Sequence, residues 1–563
     1  MSKKDLIKKG IDYLKYYGIK ELARKTEERL IPEPFPYSRW YPKHLLSQGE
    51  MKEFKKCEFD LSPVISVIVP ACETEPKYLI QLIESMQDQI YGKFQLCIAD
   101  GSHSTIVMDT VRPYLSDSRI LYKKLENNLG ISGNTNAGLS MATGDYIGFL
   151  DHDDFLEPDA LYHIVSAINE QPQTELIYTD EDKSDSEGVC FSHPQFKPDF
   201  NIGLLRSNNY ICHFLVVKKE LQERVGLFEK SFDGAQDYDF VLRCIEKTRN
   251  IVHIPRVLYH WRMYDNSTSG NATSKMYAFE AGRKAVAAHL SRMGIEGEVH
   301  HGQDLGYYRV IYSLNAEPEV SVIITSAGDN RNLVKCVDSV RKAEYGAYEF
   351  FIIEDESAAI NECIRNQAKG EYIIILNEEL IISEKTDWIK EMVSQCSLDE
   401  VGLVGVKLLT PSGRLFNRKF PMKSVYHAGM ILGLDGLAGN AFKGLPGNLM
   451  GYMHRASIIG DYSIVSSLMY IIKRDVFLEA GGLEESLAPG LAGPDLCLRL
   501  LEKGKRIVYD PYVVASYYGK GARINTEDRK IMRVRWEKVI SDGDRFYNPN
   551  FSLESPGYVL DIN

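Results

Sequence analysis

The sequence predicts an α/β protein built from two tandem domains of one type, the second degenerate, behind an N-terminal helical segment. Three observations carry this. Short apolar runs alternate with helical periodicity, which implies a mostly parallel sheet with helices on both faces. The pattern restarts at Pro318, where SVIITSAGD from Ser321 matches SVIVPACET from Ser66. Such self-similarity marks an internal repeat. Finally, 563 residues are too many for one core.

The elements follow in order. Strands are expected at 64–70, 94–100 and 120–124, with helices at 77–89 and 134–141. The run Tyr146–Leu150 is the next strand and stops at Asp151. A helix at 159–169, a strand at 175–179 and an acidic loop, Asp180–Lys183, come next. Strands at 210–217 and 257–262 flank a helix at 236–246. A long helix at 275–293, a short hairpin and a linker close the first copy. The domain bounds read as 1–60 for the helical segment and 61–300 for the first domain. The linker is then 301–319, the second domain 320–524, and 525–563 a C-terminal helix and tail.

Net charge is −12, which argues against nucleic acid as a partner, since phosphate binding needs a basic face. Ten cysteines without a CxxC pair fit a reducing cytoplasm. No run is long enough to cross a membrane, and no signal-peptide core is seen. Residues 1–30 differ, with nine Lys/Arg against five Asp/Glu and apolar residues at helical spacing. A basic amphipathic helix can lie on an anionic membrane surface; it can equally dock on its own domain.

The chemistry concentrates in GDYIGFLDHDDFLEP, Gly144 to Pro158. Three crowded carboxylates stay ionised only beside a cation or ordered donors. The same frame returns 226 positions later as GEYIIILNEELIISE. There Asn377 stands for Asp151, Glu379 for Asp153 and Leu380 for Asp154. Farther on the offset is 256, with Arg499 on Arg243, Gly493 on Asp237, Asp495 on Asp239 and Ser516 on His260. The second copy also lacks 29 residues around NNLGISGNTNAG. That Gly/Asn-rich loop before a helix suits a phosphorylated ligand.

The chain resembles family 2 glycosyltransferases of the GT-A fold, in particular long bacterial tandem forms that build O-antigen, capsule or rhamnose-rich wall polysaccharides. The carriers in the first copy are SVIVP, CIADGS, NNLGISGNTNAG, GFLDHDD, YTDEDK, HPQFKPDF, NNYICH, GAQDYDFVLR and IPRVLYHWR. In the second they are HAGMILGLDGLAGNAFKGLP, GYMHRA, EAGGLEE and YNPNFSLE. The resemblance implies an inverting, metal-dependent transferase using a UDP- or dTDP-sugar. The acceptor would be a growing, lipid-linked bacterial surface glycan, met at the cytoplasmic membrane face. It implies Mn²⁺ or Mg²⁺ at Asp151 and Asp153, with Asp154 not separable from them and His260 a further ligand. Pro70, Ala71, Glu73, Asp100, Asn134, Asp151 and His152 would hold the nucleotide-sugar. Asp237 would be the base, with Asp239 its competitor. Asp180, Glu181, Asp182 and Trp261 would face the acceptor, or the acids form an exposed turn. The second domain would be a pseudo-enzyme that binds glycan or scaffolds a partner. The rival reading is a non-catalytic glycan-binding or assembly protein.

Overall fold

In a computed structural model, residues 24, 26, 37–264, 276–328, 330–383, 387–411, 413–415, 418–420, 423–519 and 525–562 are described. Apart from Arg24 and Thr26, the basic N-terminal segment expected to touch a membrane lies outside these residues.

The first repeat is a mixed sheet. Its strands are β1 (Ile65–Ala71), β2 (Phe94–Asp100), β3 (Ile120–Lys124), β4 (Tyr146–Phe149), β5 (Phe155–Leu156), β6 (Leu176–Ser184), β7 (Phe191–Gln195), β8 (Leu215–Lys218) and β9 (Ile251–Arg262). The order is β3-β2-β1-β4-β8-β6-β9-β5, with β7 paired on β6. The β1–β4 half is parallel, as the alternating pattern requires. β8 then runs antiparallel to both β4 and β6, so the sheet reverses at its centre. Every residue of β1 is buried, which explains its unbroken apolar run. Helices Pro76–Gln87 and Ala160–Glu170 cover one face, and Gly130–Leu139 and Gln236–Lys247 the other.

The second repeat copies this order. Its strands run Tyr348–Glu354, Val320–Ser326, Tyr372–Asn377, Met469–Lys473, Val401–Thr410, Arg506–Tyr517 and Leu380–Ile382. Each has a counterpart in the first sheet except β3, whose place is lost with the shorter stretch. Register supports the two sequence offsets. Phe155 lies opposite His260 in the first sheet, and Ile381 opposite Ser516 in the second.

Three expectations change. The acidic loop 180–183 is the outer half of β6. The strand expected from Tyr210 begins only at Leu215, because residues 210–214 bend into the site, with Cys212 in the left-handed region at φ 38°. The first domain runs past residue 300, because the expected short hairpin is Gly297–His301 with Tyr308–Tyr312 and its tyrosines and valines join the core of the first repeat.

The segments flanking the repeats are joints. Tyr37, Trp40 and Tyr41 of helix Tyr37–His44 belong to the same buried cluster as the core of the second repeat. The C-terminal tail returns to the first domain, where Asn548 Nδ2 donates to Asp180 Oδ2 at 2.8 Å and Asn550 Nδ2 to the Pro255 carbonyl at 3.0 Å. Between the repeats, Asn201 and the Asp461 backbone exchange two bonds, at 2.9 and 3.0 Å. Among the described residues, no helix is long and apolar enough to cross a membrane.

Candidate active site

Three strand ends form a crevice, as parallel sheets place their ligand sites. Pro70 and Ala71 end β1 beside Ala99 and Asp100 of β2. Asp100 is fully buried and accepts from Ser102 N (2.8 Å), Tyr122 Oη (2.6 Å) and Lys124 Nζ (3.0 Å). Burial alone would raise this carboxyl; the bonds from Ser102, Tyr122 and Lys124 outweigh it and hold it below its usual range. Asn134, in helix Gly130–Leu139, accepts from Leu129 N and donates to Asn128 Oδ1. It lies so close to Gly101 that a Cβ there would sit 2.7 Å from its amide nitrogen. Glu73, at φ 48°, receives His103 N and Ser104 N. It ties the β1 and β2 loops together, and its carboxyl is lowered by the Ser104 bonds.

The carboxylates after β4 have different surroundings. Asp154 is fully buried and accepts from Tyr259 Oη (2.5 Å) and Arg262 N (2.8 Å). Burial pushes it well up, and Asp153 and Asp151 add to this. Each of its oxygens is held by the fold, which sets it apart from Asp151. Asp153 receives the Tyr264 hydroxyl, and His152 meets Thr74 Oγ1 at 3.1 Å. The Asp151 carboxylate has no hydrogen-bond donor among the described residues. Burial raises it, His213 and His152 pull it down, and Asp153 and Asp237 push it up. Asp151, Asp153, His213 and Asp237 therefore share one place.

Asp237 opens helix Gln236–Lys247, where a negative charge suits the helix dipole. Asn209 Nδ2 donates to its Oδ2 at 2.8 Å, while Asn209 Oδ1 is buried without a partner among the described residues. Cys212 Sγ lies 4.0 Å from the same oxygen. His213 stacks on Tyr259 at 4.5 Å and meets Trp261 edge-on at 5.9 Å. Sequence reasoning missed Asn209 and His213, although NNYICH was already a recognised motif. Neither has a polar pattern around it that betrays a role.

The loop holding His213 is pinned from below. Glu181 Oε2 accepts from both His213 N and Lys197 Nζ at 3.0 Å. Lys197 Nζ also reaches the Ile211 carbonyl at 2.7 Å and the His213 carbonyl. The pair is 1% and 3% exposed, and breaking such a pair costs roughly 3–5 kcal/mol.

This corrects the acceptor assignment. Asp180, Glu181 and Asp182 are buried in β6, each with a partner, and form neither an acceptor face nor an exposed turn. Asp180 takes Lys197 N, His253 Nε2 and Asn548 Nδ2. Asp182 takes Tyr37 Oη and His260 Nδ1. His260 is also corrected. Its two nitrogens donate to Asp182 (2.6 Å) and Glu157 (3.0 Å). Burial opposes its charge, but the two carboxylates win and raise it to about 10. A doubly bonded imidazolium has no lone pair for a metal. Of that group, Trp261 meets the His213 ring, and Glu181 holds the His213 backbone from the buried side.

Among the described residues, no three acidic, imidazole or thiol groups converge as a ready cage for a metal ion. A divalent ion held by one or two carboxylates and substrate phosphates does not need one. Asp151, crowded by Asp153 and Asp237 and without a donor among the described residues, fits that arrangement together with Asp153, since a cation there would favour its ionised form.

The second repeat has lost each part. Glu378 is spent on Ser326 Oγ and Ala327 N. Register puts Leu468 where His213 stands and Ser467 where Cys212 stands. A Cβ at Gly493 would sit 2.7 Å from Ser467 Cβ, so the base position has no room for a side chain. The three buried acids become Lys407, Leu408 and Leu409.

Residues 66–224 match the model of glycosyl transferase family 2. This stretch is a family 2 glycosyltransferase domain. Over the longer chain, an uncharacterized protein y4gI of Sinorhizobium fredii is 35% identical, covering 88% of this chain and 58% of that protein. The O-antigen biosynthesis protein RfbC of Myxococcus xanthus is 30% identical, covering 87% of this chain and 40% of that protein. The chain thus spans about half the length of these relatives. A structure of S. aureus TarS 1-349 in complex with UDP-GlcNAc aligns with a TM-score of 0.34 at 18% identity, over 40% of this chain and 66% of that one. The family 2 domain supplies all the crevice residues except Asp237 and Trp261, which come from the helix and strand that follow it.

Proposed function

We propose that the first repeat transfers a sugar from a UDP- or dTDP-sugar to a growing bacterial surface glycan, with inversion. The observation that carries this is the meeting of Asp151, Asp153, His213 and Asp237 in one crevice, next to the strand ends and the Asn134 loop. Mn²⁺ or Mg²⁺ held by Asp151 and Asp153 with the donor phosphates supplies neutralisation of the leaving diphosphate. Pro70, Ala71, Asp100 and Asn134 form the nucleotide wall. Asp237 takes the proton of the acceptor hydroxyl, and Asn209 holds that carboxylate in place. With one base and no second nucleophile, direct displacement is the simplest course. His213 and Trp261 line the side where an acceptor enters. The acceptor is a lipid-linked glycan, met at the inner face of the membrane, and the second repeat is a pseudo-enzyme that binds glycan or scaffolds. The resemblance of 87% of the chain to part of the O-antigen biosynthesis protein supports this setting.

The test is nucleotide release from a panel of UDP- and dTDP-sugars with and without Mn²⁺. Asp153→Ala and Asp237→Ala are expected to lower turnover by about 10²–10⁴-fold, and Glu379→Ala to leave it unchanged. Loss of turnover in Glu379→Ala, or no turnover with any donor, would reject the division between the repeats.

A further inference from the structure

Lys183 is a cation without a counter-charge. It stands on β6 in register with Trp261 of β9, two residues beyond Glu181, which is in register with Tyr259. Side chains two apart on a strand share a face. His213 marks that face as the one of the crevice. It stacks on Tyr259, meets Trp261 edge-on, and donates its backbone N–H to Glu181. The Lys183 ammonium lies 4.8 Å from the centre of the Trp261 ring. It makes no hydrogen bond and no ion pair among the described residues, and Glu181 is taken by Lys197 at 3.0 Å. Burial pulls the ammonium below its ordinary value, while Glu181 and Cys212 oppose this. A half-buried cation that rests only on a ring gains from any anion that reaches it.

Two further donors stand beside it. Trp261 Nε1 and the His213 ring nitrogens have no hydrogen-bond partner among the described residues. Neither they nor Lys183 Nζ are sealed from solvent. The second repeat is the control. Thr410 stands there for Lys183, Tyr517 for Trp261 and Leu468 for His213. Thr410 Oγ1 meets Ser424 Oγ at 2.6 Å, and Tyr517 packs on Tyr426 at 4.5 Å. The fold thus stands without the cation, and the copy that keeps the crevice keeps it.

Two anions could meet this set, the donor diphosphate or a group on the acceptor. The charges that act on Lys183 are Glu181 and Cys212, and neither Asp151 nor Asp153 is among them. The cation therefore stands apart from the acids assigned to the donor's metal. Cys212 links it instead to the base, since its Sγ lies 4.0 Å from Asp237 Oδ2. A net charge of −12 repels an anionic substrate, so such a substrate needs a local cation. We propose that Lys183, with Trp261 and His213, selects a sugar acceptor that carries a carboxylate or phosphate. This rests on the reading of the crevice as a transferase site and names the class of its acceptor.

The experiment is saturation-transfer NMR on the full chain, with and without UDP and Mg²⁺. The probes are methyl glucoside, methyl glucuronide, glucose 6-phosphate and farnesyl diphosphate. The glucuronide or the sugar phosphate is expected to bind at least about tenfold more tightly than the neutral glucoside, the worth of a hydrogen bond to a charged group. UDP with Mg²⁺ should leave that preference unchanged. Lys183→Met keeps the length, removes the charge and should erase the preference, while Lys183→Arg should keep it. Melting curves check that the variants are folded, and Lys183→Gln decides if Lys183→Met is not. No preference for a sugar anion, or one that survives Lys183→Met, would overturn the proposal. So would displacement by UDP, because the anion would then occupy the place of the donor diphosphate. Tight binding of farnesyl diphosphate alone would also overturn it, by moving the charge from the sugar to a lipid. Failure of UDP itself to receive saturation would count against the transferase reading, and the anion preference could still be read.

Discussion

The two repeats differ in what they kept. Both retain one buried clamp. In the first, Asp239 accepts from Arg243 Nε (2.8 Å) and from Arg292 (3.4 Å), and Arg243 also reaches the Val225 and Leu227 carbonyls. In the second, Asp495 accepts from Arg499 Nε (2.7 Å) and Arg535 (3.0 Å), and Arg499 reaches the Ala480 and Gly482 carbonyls. The third member comes each time from the last residue of the helix after the sheet, Arg292 or Arg535. The C-terminal helix is thus part of the repeat rather than an addition. Two positions before each clamp, Asp237 survives in one copy and glycine replaces it in the other. The comparison separates an aspartate that holds the fold from one that is free to do chemistry.

The largest expected effect tests the clamp. Arg243→Ala and Arg499→Ala should each destabilise by about 1.5–3 kcal/mol, since each takes the main charged partner from a buried carboxylate and leaves it Arg292 or Arg535; urea unfolding measures this. A large loss in only one repeat would break the parallel. Next, His213→Leu makes the first copy resemble the second. Turnover should fall roughly 10–100-fold, as for loss of a group that orients a metal site, with an unchanged melting temperature. A smaller effect is expected from Gly493→Asp. Ser467 fills the space, so the variant should lose about 1–3 kcal/mol by overpacking and gain no activity. Restored turnover would show that the second repeat is silent for want of a base alone.

The smallest effect is the pH response, and here the repeats oppose each other. His260 in the first is raised from 6.5 to about 10. Its contribution is complete below about pH 6.5 and is lost as pH rises to about 10. Its facing groups are Asp182, Glu157, Tyr37 and Tyr41. His427 in the second repeat is buried and lowered from 6.5 to about 4. It donates to Asn440 Oδ1 and accepts from Gly429 N and Ser466 N, which only a neutral ring can do. Its contribution is present above about pH 6.5 and is lost as pH falls towards 4. Melting curves should show the His260→Gln variant flatter on the alkaline side and the His427→Gln variant flatter on the acid side.

Much of this was legible in the chain. Periodicity placed β1 to β4 within a residue or two, and β1, β2 and most of β4 owe their apolar runs to burial on both faces. The two offsets, 226 and 256, found the repeat, and register agrees with them. The difference between Asp237 and Asp239 was also readable, because a repeat supplies its own control. What failed was every judgement that depended on a partner far away in sequence. DEDK looks like a polar loop because its neighbours His253, Lys197, His260, Tyr37 and Asn548 are invisible locally. His260 looks like a ligand until Glu157 and Asp182 are seen on its two nitrogens. His213 and Asn209 stand in NNYICH, which does not show by itself what they meet; a bend in residues 210–214 and the Glu181–Lys197 pair bring them to Asp237. The sequence by itself determined the strands, the duplication and the acids after β4, since these follow from local periodicity and spacing. Only the tertiary structure decided which charges are free for chemistry, because a charge is freed or spent by what packs against it.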